Sequence, residues 1–212
     1  MDNPLDPVAV RVLGALLEKE VTTPDAYPLT LNALTAACNQ TTNRDPVMTL
    51  DEATVARTLE ELARRSFARE VHRSDSRAKR YRQTLAEKLS LHSAESAIMC
   101  VLMLRGPQTT AEIKTRTARL FNFIDIAQVD ITLQALMTLS TPLVAQLPRQ
   151  PGQKEVRYAH LLSGEPQVAP QAVSDQPTKT GRLDALEAEL ASVRSELTEL
   201  RALFEEFRRQ FQ

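Results

Sequence analysis

Two stretches of this chain, residues 5–82 and 94–161, follow one plan: three helix-like segments, then a two-strand hairpin. Apolar residues recur at helical spacing in each helical segment and give way to short alternating runs around polar turns. That order is the plan of the winged helix. The expectation is a mainly α fold with small β-hairpins (α+β): two tandem winged-helix domains, then a C-terminal coiled-coil helix. The domains are drawn at residues 1–88 and 89–162, with a linker over 163–181 and the coiled-coil helix over 182–212.

In the first module the spacing predicts a helix over residues 6–20. Val8, Val12, Leu13, Leu16 and Leu17 face inward, with Arg11, Glu18 and Lys19 on the other side. After Pro24 and Pro28 a second helix is expected over 29–39, with Thr30 as its cap. A polar loop follows, and Thr49 with Glu52 has capping-box spacing for a third helix over 50–65 that buries Val55, Leu59 and Leu62. Strands are expected over 67–73 and 79–84. In the second module a short connector over 85–91 precedes an amphipathic helix over 93–104 with Ala94, Ile98, Val101 and Leu102 inward. Thr109 and Glu112 form another capping box, and residues 121–124 read as an apolar plug. Asp125 caps a third helix with Val129, Leu133, Leu136 and Met137 buried, and a hairpin over 143–147 and 155–161 closes the module.

Charge is uneven. The net charge is −1, so overall balance argues neither for nor against nucleic acid. Between residues 64 and 82, however, stand Arg64, Arg65, Arg69, Arg73, Arg77, Lys79, Arg80 and Arg82, opposed only by Glu70 and Asp75. In a winged helix the third helix enters the major groove while the hairpin rides the phosphate backbone. Arginines there neutralise phosphates, release counterions and form paired hydrogen bonds. The candidate nucleic-acid contacts are therefore Thr54, Arg57, Arg64, Arg73, Arg77, Lys79 and Arg80, with Thr58 also on the helix face taken as exposed. Glu60 and Glu61 weigh against base reading, and a basic hairpin also serves as a docking surface for an acidic partner or as a solvated edge guarded against aggregation. The corresponding helix of the second module offers Gln128, Asp130 and Gln134, a poor phosphate reader, so packing or protein contact suits it better. Lys114, Arg116 and Arg119 read as a solvated face.

The most regular pattern lies at the C-terminus. After a linker with three prolines, spanning roughly 25 Å as a loose coil, Leu183, Leu190, Leu197, Phe204 and Phe211 occupy heptad a positions. Leu186, Val193, Leu200 and Phe207 occupy d positions. Glu189 and Glu196 at g face Arg194 and Arg201 at e only in a parallel pair, so a parallel homo-oligomer, most simply a dimer, is expected.

Other classes find little support. Cys38 and Cys100 sit in apolar helical stretches without a ligand set, which argues against a disulfide framework or zinc site and for a reduced compartment. No glycine-rich phosphate loop or nucleophile motif occurs, and His72, His92 and His160 are scattered. No enzyme activity, metal or cofactor is expected. An N-terminus without an apolar run and the lack of a membrane-length segment fit a cytoplasmic protein.

Several motifs are specific. Leu-Glu-Lys-Glu (17–20), Val-Thr-Thr-Pro (21–24), Tyr-Pro-Leu (27–29) and Ala-Cys-Asn-Gln-Thr-Thr-Asn-Arg-Asp-Pro-Val-Met (37–48) closely resemble the YceH-like family of bacterial proteins, as do Gly-Pro-Gln-Thr (106–109) and Arg-Thr-Ala-Arg-Leu (116–120). The resemblance covers residues 5–161 and implies the tandem winged-helix fold. It draws attention to Asn39, Asn43 and Arg44, candidate loop contacts just before the third helix. Asparagines in such a loop also serve to tie it down. Two functions follow as expectations: a regulator-like protein that binds double-stranded DNA, or a scaffold that docks protein partners through its winged helices and dimerises through its tail.

Overall fold

A computed structural model of the chain describes residues 4–73, 76–149 and 155–165. The linker beyond residue 165 and the heptad positions Leu183, Leu186, Leu190, Val193, Leu197, Leu200, Phe204 and Phe207 lie outside the described residues, as does the hairpin turn at residues 74–75.

The described residues form a mixed α+β fold with seven α-helices and small antiparallel sheets. In the first half, α1 (Pro7–Thr22), α2 (Leu31–Cys38) and α3 (Glu52–Arg64) precede β2 (Ala68–Arg73) and β3 (Ser76–Gln83), while β1 (Leu29–Thr30) lies between α1 and α2. After α4 (Leu85–Leu89), the second half repeats the order: α5 (Ser93–Arg105), α6 (Thr110–Thr117), α7 (Ile126–Thr138), β4 (Val144–Leu147) and β5 (Arg157–His160).

Residue 29 is strand rather than helix. Leu29 pairs with Tyr81 and Thr30 with Arg80, giving a three-stranded sheet in the order β1-β3-β2 where a two-strand hairpin is expected. The second half has a reduced version of the same junction, an isolated bridge between Gln108 and Tyr158 just before α6. In both halves the chain thus touches the hairpin immediately before the second helix.

Caps explain most helix starts. Asp6 accepts from the Ala9 amide at 2.7 Å, Thr30 from Ala33 at 3.3 Å and Asp125 from Gln128 at 2.8 Å. Thr109 and Glu112 form the expected reciprocal box, at 3.3 and 2.9 Å. Thr49 does not cap α3. Asp51 does, accepting from the Thr54 amide at 2.6 Å, while Glu52 turns aside to Asn32.

The largest departure is at the centre. The two first helices, α1 and α5, pack on each other, and one hydrophobic core runs through both halves. Every residue of α5 from Ala97 to Leu104 is buried, so that stretch has no wet side where a one-sided amphipathic helix is expected. Helix α1 is buried from Ala9 to Leu17, including Arg11, which is only 2% exposed. Its guanidinium caps the end of α2 by donating to the Cys38 carbonyl at 3.1 Å and to the Pro46 carbonyl at 2.5 Å. The expectation that Arg11 faces outward fails because these distant carbonyls replace water. The 121–124 plug is partial: Phe123 is buried and meets Phe121 edge-on at 4.8 Å, but Ile124 is 84% exposed. Residue 5 closes the unit, its amide donating to the Leu162 carbonyl at 2.7 Å.

Candidate nucleic-acid interface

Helix α3 turns Val55, Thr58, Leu59 and Leu62 into the core. Thr58 cannot read a ligand from there: it is buried, and its hydroxyl donates to the Thr54 carbonyl at 2.8 Å. The opposite side carries Arg57, Glu60 and Arg64, all exposed. Their spacing of three and four residues places them on one stripe, so two cations flank one acid. Thr54 is half-buried, and its hydroxyl accepts from Arg57 at 3.3 Å.

The hairpin is less free than its composition suggests. Arg80 aims its guanidinium at the Pro28 carbonyl, 2.8 Å away, and ties β3 to the segment ahead of β1. Arg82 pairs with Glu87 at 2.5 Å. Arg65 lies 5.3 Å from the Phe67 ring centroid, with Lys88 4.3 Å from the same ring. Lys79 is 65% exposed but sits 3.1 Å from Glu70, whose hydrogen bond and charge hold the ammonium above its ordinary pKa. Arg69, opposite Arg82 in the register, is exposed. Arg73 and Arg77 belong to β2 and β3, and their side chains fall outside the description. The structure therefore brings Arg57, Arg64, Arg69 and Lys79 to the surface and turns Arg80 inward.

The loop before α3 is built from the three residues singled out in it. The Asn39 amide donates to the Leu50 carbonyl and accepts from the Leu50 amide, both at 2.8 Å. Asn43 adopts a left-handed conformation (φ 59°) and accepts from Arg105. Arg44 is buried, donating to the Ala37 carbonyl at 2.9 Å and to Glu18 at 2.6 Å. Its charge is directed inward.

The second half presents a different surface. Glu112 binds Arg116 at 3.3 Å and Arg157 at 3.1 Å. Gln108, fully buried, donates to the Val101 carbonyl at 2.9 Å and accepts from Arg116 at 2.9 Å. On and before α7, Ile124, Ile126 and Ile131 are exposed by 84, 47 and 71% beside Asp130 and Gln134. Both cysteines are buried free thiols, and burial pushes Cys38 up to about 12 and Cys100 up as well. Among the described residues no three His, Cys, Asp or Glu side chains are grouped to hold a metal, and no helix is long and apolar enough to cross a membrane.

These features define a class: a mixed α+β protein of two like halves on one core, with a mixed-charge, arginine-bearing helix in the first and an apolar helix face in the second. The chain belongs to the DUF480 family, described as "Protein of unknown function, DUF480", whose profile matches residues 5–153. It is 47% identical over 220 residues to a UPF0502 protein of Geotalea uraniireducens and 48% identical over 221 residues to one of Geobacter sulfurreducens, each alignment covering both chains fully. A UPF0502 protein of Janthinobacterium is 47% identical over 211 residues, covering 98% of this chain and 91% of that one.

Proposed function

We propose that this chain is a non-enzymatic, cytoplasmic DNA-binding protein of regulator type, built from two winged-helix domains over residues 1–88 and 89–162. The observation that carries the reading is the exposed stripe of α3: Arg57 and Arg64 face solvent, with Arg69 and Lys79 exposed on the adjoining hairpin. The repeated order of three helices and a hairpin supports the fold reading, because the third helix of such a unit is the one that enters a groove. Phosphate contacts supply most of the affinity, and Glu60 between the two arginines keeps it modest. Residues 182–212 join two copies as a parallel coiled coil, so several weak contacts add through avidity.

The test is fluorescence anisotropy of the full chain with a random duplex across a salt series. Binding that falls steeply with salt and is lost in Arg57→Glu/Arg64→Glu supports the reading. Absence of binding at low salt overturns it.

One observation favours a second reading, a protein-docking scaffold. The α7 face has large exposed isoleucines and no cation, which suits a protein surface and not phosphate. Capture of a partner that Ile131→Glu abolishes while DNA binding stays intact would assign the two halves different targets.

A further inference from the structure

Where α1, α5 and α6 end, a cavity of about 250 Å³ opens between the two halves. Four cations line it, Lys19, Arg105, Arg116 and Arg119, with Asn43 and Thr42 on the rim. We propose that this cavity binds a small phosphate-bearing molecule.

The charge balance favours an anion. Glu18 also lines the cavity, but its carboxylate is engaged by Arg44 at 2.6 Å and by Lys19 at 3.6 Å. Glu112 partners Arg116 and is shared with Arg157. Arg105 donates to Asn43, a neutral acceptor, and Arg119 is exposed. The competing account is that cations gather here only to offset the carbonyl ends of the helices. Each helix end carries about half an elementary charge, so three ends draw about 1.5 charges, less than Arg105 and Arg119 supply once Lys19 is set against Glu18. Burial lowers the Arg105 pKa, the neighbouring Arg116 and Arg44 charges add to that, and Asp45 and Glu18 oppose it.

Size and shape narrow the ligand. About 250 Å³ corresponds to roughly eight waters, room for a small phosphoester and its counter-groups. A duplex backbone lies on a convex rod and fits a concave recess poorly. Guanidiniums in a fork geometry select phosphate over a spherical anion. Residues from both halves line the recess, so a ligand there fastens the end of α1 to α5 and α6.

Isothermal titration calorimetry of the full chain with pyrophosphate and with inorganic phosphate, at ionic strength held constant with sodium chloride, tests this. Saturable binding of one ligand per chain is expected, weakened roughly tenfold or more by Arg119→Gln. Arg119 is exposed, so that variant folds; Arg149→Gln, an exposed cation that does not line the cavity, leaves the binding unchanged. No saturable heat into the millimolar range, or full binding by Arg119→Gln, overturns the proposal. So does displacement of pyrophosphate by duplex DNA, which would make the cavity part of a nucleic-acid track.

Discussion

Asn39 and Leu50 are joined by two hydrogen bonds, side-chain amide to backbone in both directions, each 2.8 Å. The side chain thereby mimics a strand neighbour and closes the thirteen-residue loop that delivers α3. Asn39→Ala leaves a donor and an acceptor of Leu50 without their partner. The expected cost is about 1–3 kcal/mol, measured by urea unfolding. Asn39→Asp keeps the acceptor but sets a carboxylate against the Leu50 carbonyl, so it should be no better than alanine.

Glu18 and Arg44 form the strongest charged link to that loop, with the Arg44 side chain wholly buried. Burial alone would raise the Glu18 carboxyl, but the hydrogen bonds and charge of Arg44 outweigh it, and the group is held below its ordinary 4.5. A carboxyl lowered by folding adds stability above its unfolded pKa and loses it as pH falls through the folded value. Stability should therefore decline below about pH 4.5. Glu18→Gln leaves the Arg44 charge buried without a counterion, costing about 3 kcal/mol at neutral pH, and makes the acid decline shallower in the same unfolding series.

His160 acts in a higher pH window. Among the described residues its buried Nδ1 has no hydrogen-bond partner, and burial pushes the imidazole from 6.5 down to about 4. The unfolded chain takes up this proton first, so stability falls as pH drops from about 6.5 to 4, by at most about 3 kcal/mol. His160→Gln should flatten the thermal-melt profile over that range while leaving the Glu18-dependent step below it.

Arg64 and Arg80 look alike in the sequence and differ in the structure. Arg64→Ala should leave thermal stability within about 0.5 kcal/mol and lower the slope of log affinity against log salt for duplex DNA by about 0.9. Arg80→Ala should do the reverse: an unchanged slope, and a lower melting temperature from losing the Pro28 contact. Equal salt slopes in both variants would remove α3 from the interface.

Features set by local sequence were legible. Asp125, Thr30 and the Thr109–Glu112 pair announce helix starts because a cap and its amide lie within three residues. Thr49 misled because Asp51, two residues nearer the helix, offers an equivalent oxygen. What the sequence hid was set by distant partners. Two-residue β1 has no alternation to read and exists because Tyr81 and Arg80 lie beside it. Arg11 is tolerated inside because carbonyls 27 and 35 residues away accept its protons. Arg80 turns inward because Pro28 is there, which no spacing rule reports. The recess near Arg105 and Arg119 needs both halves in place, so separate windows showed only a solvated basic face.

Gly14 makes the contact between the halves possible. It lies in α1, and the Cys100 thiol approaches its carbonyl at 3.6 Å. A methyl group at residue 14 would stand 3.0 and 3.1 Å from Leu104 Cδ2 and Cγ, and 3.2 Å from Met103 Cβ. Alanine favours the helix by about 1 kcal/mol, but both neighbours are buried, and a Cβ moves only with its backbone. Overpacking costs about 1–3 kcal/mol, so Gly14→Ala should be destabilising overall by about 1 kcal/mol. Leu104→Ala vacates the nearest atoms. In the double variant Gly14→Ala should therefore become neutral or stabilising, and urea unfolding of the four-protein cycle reads that coupling directly. Additive effects would mean that α1 and α5 shift apart without strain.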